Sequence, residues 1–304
     1  MGKAIAPART LAPLGRRPGE ADSLGMQKLF LACLAALGLA GCAHTLAQPP
    51  AGARYVNMGS SFAAGPGTGP PALGSPARCY QSSRNYAHLL AEHLHLALVD
   101  VSCGGATSTH LIRPWNELAA QIAAVTPDTR LVTIIVGGND LAYVANLVAA
   151  SCEPNEIIHA AGMALPCPNA FAVSPDAYAQ LESNLTEAAR QIGARAPQAR
   201  VVFIQYLTLV PRRQCPNSRL NAQAARRLRA VGVRLAEITA RVAHQGGALL
   251  LRMDEMSRNH TTCDREPWSF GLPRDYQEQQ GAAWHPNRRA MEVIAETLEE
   301  LIAR

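Results

Sequence analysis

Five short apolar runs, each ending in small or polar residues, constrain the fold of this chain more than any other feature. They are Arg54 to Met58, Ala97 to Val101, Leu131 to Val136, Val201 to Tyr206 and Ala248 to Met253. Several lack the polar alternation of a half-exposed strand, as expected when helices cover both faces of a parallel sheet. Helical patterns lie between them. Ser174-Pro175-Asp176 places a capping serine before a first-turn proline, and Leu181, Leu185, Ala188 and Ile192 follow on one face. Leu220 to His244 carries Leu228, Leu235, Ile238 and Val242 and stops at Gly246-Gly247. After Pro286, Met291, Ile294, Leu298 and Leu301 form one stripe. The alternation predicts an α/β fold: one three-layer α/β/α sandwich over residues 54–304, with a mainly five-stranded parallel sheet and no internal repeat. The irregular stretches Gly65 to Arg78, Ala150 to Val173 and Arg258 to Gln280 are long for such a fold. Each contains or adjoins cysteines, which fits loops pinned over a site.

The first 53 residues read differently. Met26-Gln27-Lys28 opens a short basic patch, the apolar run Leu29 to Leu39 follows, and Leu39-Ala40-Gly41-Cys42 ends it. Residues 26–41 are therefore expected to be a bacterial lipoprotein signal peptide, with a lipidated Cys42 and a Pro/Gly-rich tether over 42–53. An ordinary secretory signal that happens to contain cysteine is the alternative. Residues 1–25 fit neither and read as an extension from a start codon placed upstream of a true initiator, Met26. The chain is thus expected to be exported and lipid-anchored to a bacterial membrane, in the outer membrane and periplasm or at the cell surface, Ala43 favouring the outer membrane. Removing residues 1–41 takes away five basic and two acidic side chains, so the formal charge falls from +5 to +2. No block of five like charges occurs, and nucleic acid is not an expected partner.

Of eight cysteines, Cys33 and Cys42 belong to the signal, leaving six in an exported domain. Six cysteines allow fifteen pairings. Sequential pairing, Cys79–Cys103, Cys152–Cys167 and Cys215–Cys263, is expected because each closes a local loop. No CxxC is present and the spacings do not resemble a zinc site; no organic cofactor site is visible either.

Chemistry concentrates where the predicted strands end. Gly59-Ser60-Ser61-Phe62 follows the first, which places Ser60 or Ser61 toward the crevice outside the carboxyl ends of the sheet. Cys103-Gly104-Gly105-Ala106-Thr107 follows the second, and Gly137-Gly138-Asn139-Asp140 the third. Glycines let backbone N–H groups approach a ligand, and an asparagine amide can donate to a developing oxyanion. Each turn alone also reads as structure, glycine for a tight bend and Asn139-Asp140 as a helix cap. Trp284-His285-Pro286-Asn287 supplies an imidazole just before the last helix.

Taken in order, these blocks resemble the GDSL/SGNH hydrolases. Ser61 matches that family's nucleophile, Gly105 its second-block glycine, Asn139 the asparagine of GGND and His285 the general base. The likeness runs from Arg54 to the end. Tyr55 to Gly67, Arg78-Cys79 with Asn85-Tyr86, and Cys103 to Thr107 are similar to the three-disulfide secreted bacterial esterase and lipase branch. The resemblance implies a flavodoxin-like fold and hydrolysis of carboxylic esters through an acyl-serine. A phospholipase A or acyltransferase on the same site is the near alternative, and a catalytically silent glycan-binding lipoprotein the distant one.

Two departures stand out. Gly59-Ser60-Ser61 replaces the usual Gly-Asp-Ser, a change away from the attacking group. Ala282 stands where the family has an aspartate three residues before the histidine, so no carboxylate is available there to orient the ring. Some members of the branch use a main-chain carbonyl at that position, which makes the Ala282 C=O the expected acceptor from His285, with Asp254, Asp264 and Asp275 as rivals. Leu141, Ala142, Tyr143 and Leu147 line either an acyl pocket or, as their helical spacing favours, the core. Phe171, Trp268 and Phe270 are loop aromatics that either contact lipid or simply pack.

Overall fold

The structure, a computed structural model, describes residues 48–160 and 163–304. The expected extension, signal peptide and lipidated Cys42, with the tether up to residue 47, lie outside the described residues. In chain order the elements are β1 (Arg54–Gly59), α1 (Ser61–Ala64), α2 (Tyr86–Leu94), β2 (Ala97–Asp100), α3 (Thr109–Ile112), β3 (Thr129–Ile135), α4 (Tyr143–Ser151), β4 (Ile157–Ala160) and β5 (Met163–Pro166). There follow α5 (Pro175–Arg195), β6 (Arg200–Ile204), α6 (Ala222–Gln245), β7 (Leu249–Leu251), α7 (Met253–Met256) and α8 (Arg288–Ala303).

Five strands form one parallel sheet in the order β2-β1-β3-β6-β7. The chain steps from β1 to β2 in one direction and from β3 onward in the other. Because parallel crossovers are right-handed, this reversal puts the first helix on one face and the later crossover helices on the opposite face. Accordingly α2 packs with α8, and α5 packs with α6. The reversal between β1 and β3 is a switch point, where such sheets leave a crevice outside their carboxyl ends.

Burial follows position. Central β1 and β3 are almost wholly buried, whereas edge strand β2 is half-exposed. The predicted strands fall within a few residues of the observed ones, and the one that shortens most is Ala248 to Met253. There the edge strand β7 is only three residues long, because the Ala248 N–H bonds to Ala243 O in the end of α6 and Met253 already opens α7.

One helix start follows the cap read from the sequence, and two more are capped by asparagines that the sequence reading did not single out. The Ser174 side chain accepts from Ala177 N–H, with Pro175 in the first turn of α5. Asn221 and Asn287 cap α6 and α8 in the same way. The three disulfides pair sequentially: Cys79–Cys103, Cys152–Cys167 and Cys215–Cys263.

One element has no sequence precursor. The stretch from Ala150 to Val173, expected to be irregular, contains the antiparallel hairpin β4–β5. Cys152–Cys167 ties its base, and the Arg219 guanidinium grips Glu156 in two bonds of 2.7 and 2.5 Å. That pairing holds the Glu156 carboxyl down at about 2.

Beneath β1 lies a buried polar network. Tyr86 donates to Asn57 Oδ1 at 2.6 Å, Asn57 Nδ2 to Asp100 Oδ1 at 2.9 Å, and Asn85 Nδ2 to Asp100 Oδ2 at 2.8 Å. Ser102 adds its N–H and hydroxyl to Asp100 Oδ1. Burial pushes the Asp100 carboxyl upward while these donors pull it down. The network binds β1, β2 and the start of α2 together near the carboxyl end of the sheet.

Candidate active site

The nucleophile candidate stands on a turn that only glycine allows. A Cβ on Gly59, whose φ is +138°, would lie 2.1 Å from the Ile135 carbonyl oxygen. The close approach lets Ser60 N–H bond to Ile135 O at 2.9 Å as β1 breaks into α1. Ser60 is fully buried and its Oγ meets Tyr206 Oη at 2.8 Å, so it points into the protein. Ser61, one residue on, turns the other way and borders the crevice. Of the two serines left open by the sequence, Ser61 is the one with a reactive setting.

Ser61 Oγ lies 2.8 Å from His285 Nε2, across 224 residues of chain. The ring's other nitrogen, Nδ1, is 2.8 Å from the carbonyl oxygen of Ala283. A carbonyl can only accept, so Nδ1 carries the proton and Nε2 presents its lone pair to the serine hydroxyl. The acceptor is therefore not the Ala282 carbonyl expected from the sequence. That oxygen takes the backbone N–H of His285 at 3.1 Å. The difference is one of backbone conformation: Trp284 has φ +58°, in the left-handed region. The bend at Trp284 lies between Ala283 and the ring its carbonyl meets.

None of the rival aspartates partners the ring. Asp264 accepts from Thr261 N–H and Oγ1, Asp254 pairs with Arg258 at 3.5 Å, and no bond joins Asp275 to His285. Desolvation lowers the His285 pKa below the ordinary histidine value, and the bond to Ala283 partly offsets it. Both the burial and the lowered pKa favour the neutral imidazole that a general base requires.

Donors converge on the same rim. Ser61 opens α1, so its N–H has no intrahelical acceptor. Gly105 takes φ +82°, and its loop is tied down by Cys79–Cys103 and by Gly104 N–H to Cys79 O at 2.9 Å. Asn139 Nδ2 donates one hydrogen to Ala106 O at 2.8 Å. The amide nitrogen carries a second hydrogen, and Asn139 borders the crevice. The neighbouring Asp140 carboxylate takes the Ser108 N–H and hydroxyl, joining the second and third blocks.

Ser61, Gly105, Asn139, Ala282 and His285 all border one cavity of about 590 Å³. Its remaining wall is largely apolar, including Val144 and Val148 of α4, Ile158 of β4, Leu272 and Tyr276. Of the four residues read as pocket or core, Leu141, Tyr143 and Leu147 are core, whereas Ala142 is half-buried in a left-handed conformation before α4; Val144, Ala145 and Val148, which the sequence reading did not name, face the cavity. Trp268 stacks on His260 at 3.9 Å and Phe270 lies against Gly281; Phe171 is exposed. Ile158, Tyr276 and the Ala283 carbonyl escaped sequence reading, because the short strand and the loops that carry them show no clear periodicity. Among the described residues no cluster of three His, Cys, Asp or Glu side chains is arranged to hold a metal ion.

Fold and site together define an α/β protein with a serine–histidine pair and amide donors around one cavity at the carboxyl edge of a parallel sheet. Residues 58–293 match the model of the GDSL-like lipase/acylhydrolase family, and the chain belongs to that family. Lipase 2 of Streptomyces coelicolor is 32% identical over 234 residues, covering 71% of this chain and 77% of that protein. An esterase of Streptomyces scabiei is 27% identical, covering 90% and 92% of the two chains. Among solved structures, the extracellular lipase of Streptomyces rimosus superposes with a TM-score of 0.63 at 21% identity, covering 82% of this chain and 99% of its own. Phospholipase A1 of Streptomyces albidoflavus gives 0.64 at 18% identity, covering 83% and 100%; these two likenesses establish the fold. The chain is a carboxylic ester hydrolase of the esterase and lipase type. The silent glycan-binding reading falls away with that assignment.

Proposed function

We propose that this hydrolase works through an acyl-enzyme formed on Ser61. His285 Nε2 takes the hydroxyl proton as Ser61 Oγ attacks the ester carbonyl. The Ser61 and Gly105 N–H groups with the Asn139 amide hold the tetrahedral oxyanion. The imidazolium returns its proton to the leaving alkoxide, and water, activated by the same ring, then releases the acid. The Ala283 carbonyl takes the orienting role that a carboxylate plays in a triad, fixing the tautomer. The single observation that carries this reading is the 2.8 Å contact between Ser61 Oγ and His285 Nε2 at the mouth of the cavity.

The apolar wall suits the acyl part of the substrate, since a cavity of about 590 Å³ falls in the range of small-molecule sites. Lipid esters, phospholipids among them, fit that chemistry better than short polar acetates. The disulfides fit maturation in an oxidising compartment. Export with a lipid anchor on Cys42 is the reading of the N-terminus that goes with it.

A fluorophosphonate probe tests the mechanism directly. The protein should be labelled once, and Ser61→Ala and His285→Ala should both lose the label and the hydrolysis of p-nitrophenyl esters. Undiminished turnover by Ser61→Ala overturns the proposal. A p-nitrophenyl series of increasing acyl length, followed by phosphatidylcholine vesicles, reads the substrate class. Metabolic labelling with a fatty-acid probe, lost in Cys42→Ala, tests the anchor.

A further inference from the structure

With no carboxylate behind His285, the precision of the base rests on a peptide carbonyl, and something must hold that peptide still. Ala283 N–H, on the same residue as the orienting carbonyl, donates to the Tyr276 hydroxyl at 3.0 Å. The hydroxyl in turn donates to Gly281 O at 2.7 Å. One oxygen thus spans both ends of the segment that presents the carbonyl. The next residue, Trp284, is held in its left-handed conformation by a fully buried indole whose Nε1 donates to Ser151 Oγ at 3.2 Å. Beyond it, Phe270 N–H bonds to His285 O at 3.0 Å. The Tyr276 ring itself forms part of the cavity wall.

We propose that Tyr276 is a positioning residue for catalysis: its hydroxyl clamps the Gly281–Ala283 segment so that the Ala283 carbonyl stays aimed at His285 Nδ1. The inference rests on the Ser61–His285 reading above. It assigns the support that an aspartate's own side chain provides elsewhere to a phenol outside the four sequence blocks. Burial raises the Tyr276 pKa, with the nearby Glu278 carboxylate adding to the effect, so the phenol remains a donor throughout the working range. The His285 ring is hydrogen-bonded to the Ala283 carbonyl and the Ser61 hydroxyl, and to no carboxylate, phenol or second imidazole among the described residues.

Tyr276→Phe keeps the ring in the wall and removes only the clamp. For a soluble p-nitrophenyl ester, kcat should fall on the order of tenfold, the size of one buried hydrogen bond, with KM within about twofold. The acid limb of the kcat/KM profile should move to lower pH, because the carbonyl contact that raises the imidazole pKa is loosened. An altered cavity wall would instead change KM and leave the limb in place. Nitrogen-15 NMR of histidine-labelled protein supplies a readout independent of turnover: the wild type should hold the Nδ1–H tautomer in His285, and Tyr276→Phe should mix it. Wild-type kcat and an unmoved limb in a folded variant overturn the inference. So does a wild-type ring already mixed between tautomers, which decides the question even if the variant fails to fold. Loss of activity in His285→Ala alongside an unaffected Tyr276→Phe removes only this inference, whereas an active His285→Ala removes the reading beneath it.

Discussion

Replacing Asn139 by alanine deletes one proposed oxyanion donor and leaves the Ser61–His285 contact untouched. Removal of a single preorganised donor costs about 2.7–4 kcal/mol of transition-state stabilisation, so kcat should fall about a hundred- to a thousandfold. The ground-state carbonyl gains little from that donor, and KM should stay within about threefold. The structure adds a second, smaller cost. Asn139 Nδ2 also donates to the carbonyl of Ala106, which is fully buried, so the variant leaves that oxygen without its donor. A lost partner of this kind is worth about 1–3 kcal/mol, and a domain of this size loses about 2–4 °C of melting temperature per kcal/mol. Asn139→Asp sharpens the test, since a carboxylate there faces both the developing oxyanion and the Ala106 carbonyl with the wrong charge. It should be less active than the alanine variant. Steady-state kinetics on a p-nitrophenyl ester with a melting curve for each protein would settle the matter. A rise in KM at wild-type kcat, or an aspartate variant more active than alanine, refutes the assignment.

Other consequences are as direct. The acid limb of kcat/KM should have its midpoint below the ordinary histidine value of about 6.5, because burial disfavours the protonated His285. By the same linkage, with the folded pKa below the unfolded one, stability from this residue is lost as pH falls from about 6.5 toward the folded value. A limb above that value, measured with a soluble ester, would contradict the buried neutral base. Gly59→Ala puts a Cβ 2.1 Å from a backbone oxygen and should give little soluble protein, whereas Gly193→Ala, with open space around it, should be tolerated. Expression and melting temperature distinguish the two, and a well-folded Gly59→Ala would refute the turn argument. Removing Cys79–Cys103 as a double alanine variant should cost about 3 kcal/mol in urea unfolding for a loop of 24 residues. Because Gly104 and Gly105 follow that bridge, kcat should fall with it; unchanged turnover would show that the loop holds itself.

The parts of the fold visible in the sequence are those governed by local rules. Strand runs such as Leu131 to Val136, caps such as Ser174 and glycine at Gly59 each state a conformational requirement that one segment meets alone. Three of the four site blocks were legible for the same reason, since a group just past a strand end is placed by topology; His285 was legible from its place before the capped start of the last helix. The sequence did not distinguish Ala282 from Ala283, because that choice turns on one left-handed residue, Trp284, whose conformation is set by packing and by a bond to Ser151 far away in the chain. Tyr276 was invisible for a related reason: its partners are backbone groups, which leave no mark on residue type. The β4–β5 hairpin was read as irregular because its four-residue strands show no clear alternation and part of its support, the Arg219–Glu156 pair, comes from outside the segment.

The direction of the sheet settles which way the molecule faces. All five strands point their carboxyl ends at the crevice, so the chain enters β1 at the base, where Gly52 N–H bonds to His95 O at 2.7 Å. Helix α8 runs back from His285 to the same base, where Arg200, at the start of β6, holds Ile302 O. Gly52, where the described chain enters the sheet, and the last turn of α8 therefore lie together at the base, on the side of the domain opposite the mouth through which esters enter.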